Sequence, residues 1–249
     1  FIENSDGKTV TLADFDESLA DSTDIVIPET VSLVDNVWMS GDDYIVTSIE
    51  YEAFYDCSSL TSISLPSSLT SITDEAFRYC TSLTEVDLSN CTSLTSIEYY
   101  AFSDCISLTS ITLPSSLTYI GEGTFYNCSG LTEVDLSNCT SLTSIGNSAF
   151  SGCSGLTSIT LPSSLTSIGK SAFNGCRALT EINYNAVSVS ELAGYGNGVF
   201  SYAGQDGDGI IVNFGEGVST IPSYLFNPYN SSYAPNIKVV NFSSTVTSI

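Results

Sequence analysis

The sequence of 249 residues contains no histidine, only 5 lysine and arginine residues, 1 tryptophan and 1 methionine. The absence of histidine removes the most common general base of enzymes and the most common metal ligand. The shortage of positive charge argues against binding to nucleic-acid phosphates or to anionic lipid headgroups. No stretch of about 18 consecutive apolar residues occurs, so the sequence predicts no membrane-spanning helix. The first residues, 1–4, also lack the basic start and apolar middle of a secretory signal.

Acidic residues dominate the charge of the chain. The 28 aspartates and glutamates give a formal net charge of −23 at pH 7. Acid dispersed over a surface keeps a β-rich protein soluble, and we favour this role for most of the carboxylates. The hydrophobic fraction of 42% is sufficient to build a core, so we expect a folded chain rather than a disordered one.

A short repeat runs through most of the chain and is marked by an Ala-Phe pair or a close equivalent. Its phenylalanines follow one another at intervals of 23, 25, 23, 25 and 23 residues: Phe54, Phe77, Phe102, Phe125, Phe150 and Phe173. The alternation comes from two kinds of turn. One reads Leu-Pro-Ser-Ser-Leu, as at 65–69, and the other, two residues longer, reads Leu-Ser-Asn-Cys-Thr-Ser-Leu, as at 88–94.

Within each repeat the apolar positions follow the pattern Leu-x-x-Leu-x-Leu, as at Leu108, Ile111 and Leu113. The last two of these positions alternate with polar residues, which is typical of a short strand with one buried face. One coil cannot enclose its own Leu, Ile and Phe, so we expect coils to stack about 4.8 Å apart around a shared core. The sequence therefore predicts a β-rich leucine-rich-repeat solenoid, with short parallel strands on one face and turns with short helical or 3-10 segments on the other.

The repeat resembles the BspA-like, surface-antigen type of leucine-rich repeat. The motif of that family reads Leu-Thr-Ser-Ile-x-Leu-Pro-x-Ser-Leu-Thr-x-Ile-Gly-x-x-Ala-Phe-x-x-Cys, and residues 156–176 match it at nearly every position. The match is strict over about residues 45–183 and looser over the rest. The resemblance implies a cell-surface or secreted location and binding to host or neighbouring-cell proteins.

We expect a single solenoid over residues 1–249. Residues 1–44 are interpreted as an N-terminal cap with a degenerate first coil, 45–183 as regular repeats, and 184–249 as divergent C-terminal coils. An atypical terminal coil is expected because it covers the core on one side only. An Ala-Phe pair should follow shortly after Ile249, so we expect the array to be truncated at that point.

The eight cysteines follow the repeat. Six of them occupy the position three residues after the phenylalanine, and two lie in the longer turn: Cys57, Cys80, Cys105, Cys128, Cys153 and Cys176, then Cys91 and Cys139. We expect them to be buried as small apolar side chains, with thiols that help to satisfy the backbone. Equivalent side chains of stacked coils point the same way, so disulfides between neighbouring coils are not expected. No zinc site is predicted, since the chain lacks histidine and Cys-x-x-Cys pairs.

The outward-facing positions of the predicted strands form the candidate partner-binding face. These positions are Ser62, Ser64, Glu85, Asp87, Ser110, Thr112, Glu133, Asp135, Ser158, Thr160, Glu181 and Asn183. Acidic pairs should lie about 10 Å apart with hydroxyl pairs between them, which avoids repulsion between adjacent strands. Three roles remain open: a solvated acidic surface, a binding face for a basic protein patch, or weak bridging of Ca²⁺. No dedicated calcium loop occurs, and no cofactor is predicted.

Tyrosines are frequent in the turns that flank the predicted strands. They include Tyr55, Tyr79, Tyr99, Tyr100, Tyr119 and Tyr126. Tyrosine at an edge either packs there or contributes contact area to a binding surface, and packing is the interpretation we favour.

The favoured function is a non-catalytic protein-binding or adhesion module, secreted or at a bacterial cell surface, acting as a monomer. The alternative is a passive spacer or surface-layer stalk that presents another domain, and the near-identical Ser/Thr-rich repeats favour it. An enzyme is not predicted because a general base is missing. Glu85 and Asp87 could imitate the carboxylate pair of a glycosidase, but they would lie on an open sheet rather than in a cleft.

Overall fold

A computed structural model describes residues 1–6, 8–12, 23–34, 37–40, 44–189, 192, 198–223, 225–226 and 231–248. The strands that precede the first full repeat are β1 (Ile2–Glu3), β2 (Thr9–Leu12), β3 (Asp24–Val26), β4 (Thr30–Val34), β5 (Val37–Ser40) and β6 (Tyr44–Ile49). The following strands are β7 (Ser62–Ser64), β8 (Ser71–Ile72), β9 (Glu85–Asp87), β10 (Ser96–Ile97), β11 (Ser110–Thr112), β12 (Tyr119–Ile120), β13 (Glu133–Val134), β14 (Ser144–Ile145), β15 (Ser158–Leu161), β16 (Ser167–Ile168), β17 (Glu181–Tyr184), β18 (Ile210–Phe214) and β19 (Ile237–Phe242).

The strands form two sheets that share one core. The nine-stranded sheet has the order β19-β18-β17-β15-β13-β11-β9-β7-β3, and the ten-stranded sheet contains the path β1-β2-β6-β8-β10-β12-β14-β16. Each regular repeat therefore contributes one strand to each sheet. Equivalent residues pair in parallel, so Ile111 lies between Val86 and Val134. This arrangement confirms the predicted leucine-rich-repeat solenoid.

The second face of the coil differs from the sequence-based expectation of helical segments. It carries a ladder of two-residue strands, four of them Ser-Ile and β12 Tyr-Ile, in which Ile120 pairs with Ile97 and Ile145. Within the described residues the helical structure is a 3-10 helix at Ser231–Tyr233. Stacking explains the difference. Equivalent segments of adjacent coils lie side by side, so their backbone N–H and C=O groups bond to each other and do not require the hydrogen bonds of a helix.

The ends of the chain add strands to both sheets. Strands β2, β3 and β6, which lie before the first full repeat, pair in parallel with neighbouring strands. The sequence reasoning missed the antiparallel hairpin formed by β4 and β5. At the other end, β18 and β19 continue the nine-stranded sheet in parallel. Ile249 lies outside the described residues, and the domain boundaries stay a prediction.

The repeat phenylalanines form one continuous row inside the core. The rings from Phe54 to Phe200 lie 4.9 to 5.7 Å apart, centroid to centroid, with interplanar angles of 2 to 16°. All of them are buried. Parallel rings at this separation are offset-stacked, a favoured arrangement of aromatic pairs. The prediction of a buried phenylalanine row is confirmed.

The cysteines form a second row beside the phenylalanines. The thiols of Cys80, Cys105, Cys128, Cys153 and Cys176 each donate a hydrogen bond of 3.1 to 3.3 Å to the phenylalanine carbonyl of the preceding coil. All eight cysteines are free thiols, and only Cys57 is half-buried rather than buried. The thiols thus satisfy backbone acceptors in the core, as the sequence suggested.

Threonine supplies a ladder of its own, which the sequence reasoning missed. The hydroxyl of Thr132 donates a hydrogen bond of 3.2 Å to the backbone carbonyl of Thr109. The hydroxyl of Thr109 in turn donates one of 3.0 Å to the backbone carbonyl of Thr84. A second ladder beside the other sheet links Thr143 to Thr118 and Thr118 to Thr95. The recurring Thr-Ser-Ile sequence is thereby explained, since its threonine ties each coil to the one before it.

Replacing Phe125 by alanine should destabilise the protein by about 3–5 kcal/mol, because a buried ring is lost between two stacked neighbours. Urea unfolding followed by circular dichroism measures the change. Ser129→Ala, at an exposed position of the same coil, is the control and should change stability by less than about 0.5 kcal/mol. A cost below about 1 kcal/mol for Phe125→Ala would contradict the stacked core.

A thiol reagent at pH 8 should modify Cys57 first and the buried cysteines at least about 100-fold more slowly. Burial raises the pKa of Cys91 and Cys139 from 9.0 to about 11 and raises that of Cys105 and Cys153 still more. A raised pKa keeps the thiol protonated at pH 8, and a protonated thiol is a poor nucleophile. The reaction is followed with a chromogenic disulfide, and denatured protein should release all eight equivalents. Rapid modification of several thiols in the native protein would contradict the buried row.

Candidate functional site

The nine-stranded sheet carries eleven of the twelve residues that the sequence proposed as a binding face, and the twelfth, Asp135, directly follows β13. Eight of them are exposed and four are half-buried, the latter being Ser110, Ser158, Thr160 and Asn183. The residues between them, such as Val86 on β9 and Ile111 on β11, are buried. The alternation along each short strand therefore places the polar side chains on one outer surface, called here the rung face.

Strand register arranges the rung face in two columns. In the first column Ser110 lies between Glu85 and Glu133, and Ser158 between Glu133 and Glu181. In the second column Thr112 pairs with Asp87. Acidic side chains thus alternate with hydroxyls across neighbouring strands, as expected. The repulsion between carboxylates is reduced because a neutral residue separates each pair.

The aspartates of the second column also hold the longer turn in place. Asp87 accepts a hydrogen bond from the backbone N–H of Ser89 over 2.9 Å, and Asp135 accepts one from Ser137 over 2.8 Å. An aspartate that bonds its own backbone two residues later forms an Asx turn. The glutamates of the first column are a different case, because they have no such turn to hold. A structural role for Asp87 and Asp135 could have been inferred from the sequence Asp-Leu-Ser-Asn.

The second column ends in a ladder of asparagines that extends the rung face beyond the proposed residues. Asn213 donates to the amide oxygen of Asn183 over 2.9 Å, and Asn241 donates to that of Asn213 over 2.7 Å. Asn213 also donates to Glu181 over 3.0 Å. At the opposite end, Asp24 accepts a hydrogen bond of 2.6 Å from Ser62, which lowers the pKa of this exposed aspartate. The sequence reasoning missed these ends because their repeat spacing is irregular.

A hollow of about 270 Å³ opens in the rung face between β11 and β13. Its lining includes Thr112, Glu133, Asp135 and Asn138. The paired register of these two strands stops at Ile111 and Val134, whereas β9 and β11 stay paired one residue further. The strands separate there, so carboxylate, amide and hydroxyl groups surround a small open depression.

Two further properties bear on what this face can hold. Among the described residues, no group of three or more Cys, Asp and Glu side chains is placed to hold a metal ion. The described part of the chain also contains no helix of sufficient length and apolar character to cross a membrane. The rung face therefore offers hydrogen-bonding groups and dispersed negative charge to a ligand.

Known proteins resemble this chain in sequence and in fold. The family model of the BspA type leucine rich repeat region, with 6 copies, matches residues 47–180 and 138–249. No curated protein matches the sequence. The solved leucine rich repeat protein of T. pallidum, TpLRR, is 28% identical with a TM-score of 0.62, and the alignment covers 89% of this chain and 87% of that one.

The pneumococcal vaccine antigen PcpA has the same fold at 21% identity and a TM-score of 0.53, with 95% of this chain and 64% of that chain covered. The family match spans well over half of the chain, and its repeats coincide with the coils that stack in the structure. The chain belongs to the family of BspA type leucine-rich-repeat proteins.

Proposed function

We propose that the chain is a non-catalytic protein-binding or adhesion module that engages a protein partner through the rung face. The observation that carries this proposal is the in-register alternation of acidic and hydroxyl rungs on an exposed sheet, with a hollow beside Glu133 and Asp135. A solenoid presents a long and accessible surface, which is suited to contact with another macromolecule.

The charge of the rung face defines the kind of partner that it suits. A protein with net charge −23 attracts basic surfaces and repels acidic ones, and this steering raises association rates. A protein partner with a basic patch is therefore the occupant we propose for the rung face. Membership of a BspA type family supports a location at the cell surface or outside the cell.

The test compares the wild-type chain with the double variant Glu133→Gln, Asp135→Asn in surface plasmon resonance against purified extracellular-matrix and plasma proteins. We expect at least one protein to bind and the double variant to bind it about 10-fold more weakly, since two carboxylates at the hollow are lost. Measurements with and without calcium show whether the carboxylates act alone or through a bridging ion.

The matched control is Asp208→Asn with Glu216→Gln, which removes the same charge from exposed positions on either side of β18, three strands from β13 in the sheet. This control should bind within about twofold of the wild type, because dispersed charge at a distance is screened. Equal weakening by both variants would make the attraction a general effect of net charge. A complete lack of binding would favour the alternative of a passive spacer.

The turn role of Asp135 predicts a difference between two single variants. Asp135→Ala removes the acceptor of the Ser137 N–H and should lower the free energy of unfolding by about 1 kcal/mol. Asp135→Asn keeps an oxygen acceptor and should change it by less than about 0.5 kcal/mol. Urea unfolding measures both. Equal stability of the two variants would show that the Asx turn contributes nothing.

A further inference from the structure

The turns around the stacked phenylalanines differ in composition between the first four regular coils and the last two. Four positions surround each phenylalanine: three and two residues before it, and one and two residues after it. In the coils of Phe54, Phe77, Phe102 and Phe125 these positions carry six tyrosines and one arginine, called here the tyrosine patch: Tyr51, Tyr55, Tyr79, Tyr99, Tyr100, Tyr126 and Arg78. In the coils of Phe150 and Phe173 the same positions carry only Asn, Ser, Gly and Lys.

Neighbouring rings of the tyrosine patch touch each other both within a coil and between coils. Tyr55 and Tyr79 lie edge to face with centroids 5.4 Å apart, and Tyr100 meets Tyr99 at 4.2 Å and Tyr126 at 5.9 Å. Tyr51, Tyr55 and Tyr99 nevertheless stay exposed, at 52%, 40% and 42% of their full accessible surface. The patch therefore contains two groups of touching rings, joined through Arg78, and edge packing leaves several of its rings open to solvent.

Two tyrosines of the patch adopt a backbone conformation that favours glycine. Tyr79 has φ 64° and Tyr100 has φ 51°, and bulky residues rarely occupy this left-handed region. The same left-handed turn recurs in the other coils, where these two positions hold glycine, as at Gly152 and Gly123, or a serine, asparagine or acidic residue. A Cβ atom at Gly123 would lie 2.5 Å from the ring of Tyr100, so this glycine makes room for the ring. Folding does not require tyrosine at these places, because other coils form the same turn with glycine, serine, asparagine or an acidic residue.

The patch already binds a guanidinium group of the chain itself. The Cζ atom of Arg78 lies 4.8 Å from the ring centroid of Tyr79 and 5.2 Å from that of Tyr100. Its Nη1 atom pairs with Glu75 at 2.8 Å, and its Nη2 atom donates to the Tyr79 hydroxyl over 3.1 Å. Arginine held between aromatic rings and a carboxylate is a recognised cation–π arrangement.

Carboxylates occupy turn positions beside the exposed rings. Across the four coils the turn positions also carry Glu52, Asp56, Asp74, Glu75, Asp104 and Glu122. Glu52 hydrogen-bonds to Tyr51 and raises the pKa of that phenol, and Glu122 is one of the groups that raise the pKa of Tyr100 after burial and Tyr99. Rings and negative charge are thus close enough to act on one cation together.

We propose that the tyrosine patch is a second binding surface, which takes arginine side chains from a basic segment of a partner protein. The exposed rings of Tyr55 and Tyr99 repeat the chemistry that holds Arg78, and the chain has few cations of its own to occupy them. This inference does not depend on the rung face, because it uses other residues of each coil. Either surface can fail its test while the other passes.

The test uses a fluorescein-labelled peptide in which Arg-Gly-Ser is repeated four times, with fluorescence anisotropy at about 150 mM NaCl to screen general attraction. The variant Tyr55→Ser, Tyr79→Gly, Tyr99→Asn introduces the residues that the chain itself has at Ser151, Gly152 and Asn147. Net charge is unchanged by these substitutions. We expect the variant to bind the peptide at least 10-fold more weakly than the wild type. A peptide with lysine in place of arginine should bind several-fold more weakly to the wild type, because its ammonium does not stack on rings.

The matched control is Tyr202→Gly, which removes a left-handed tyrosine outside the patch, with φ 59°. It should bind the peptide within twofold of the wild type.

Tyr99→Asn alone, at an exposed position, repeats the test if the triple variant has a lowered melting temperature, and it should weaken binding at least threefold. Binding by the patch variants within twofold of the wild type would overturn the proposal. Binding of a neutral oligosaccharide in preference to the arginine peptide would overturn it as well.

Discussion

The structure depends on one constraint, which is that each coil lies in register on the coil before it. Because the coils are in register, the backbone N–H and C=O groups of one coil form hydrogen bonds with those of the next. Side chains add further hydrogen bonds at recurring positions. Thr132 donates to the carbonyl of Thr109, and Cys128 donates to that of Phe102. Because every coil repeats these bonds, small contributions add along the array, and the core needs neither long strands nor helices.

The same constraint arranges the surface. A residue type that recurs in the sequence becomes a column in space, so the alternation of two repeat types produces alternating acidic and hydroxyl rungs. A residue that differs from its equivalents in the other coils likewise changes one defined place on the surface. The tyrosines around Phe77 and Phe102 stand where Phe150 and Phe173 have small polar neighbours, although the backbone is the same. In a repeat protein, such a difference between equivalent positions separates what folding requires from what it merely tolerates.

Both proposals call for a basic partner, but the two surfaces differ in chemistry. The rung face offers carboxylates and hydroxyls in water, where each charge interaction is weak and screened. The tyrosine patch adds rings to its carboxylates, and it already holds Arg78 in this way. A partner that touched both surfaces would gain from two attachments joined through one rigid array.

The sequence alone determined the solenoid, the phenylalanine and cysteine rows and the columns of the rung face, because each follows from the spacing of residues along a regular repeat. The hairpin of β4 and β5 and the hollow between β11 and β13 became apparent only in the tertiary structure. The second ladder of two-residue strands did so as well, since two residues are too few to show a period. Contacts between residues of different coils depend on ring orientation and backbone angles, and these are set by three-dimensional packing rather than by position in the repeat.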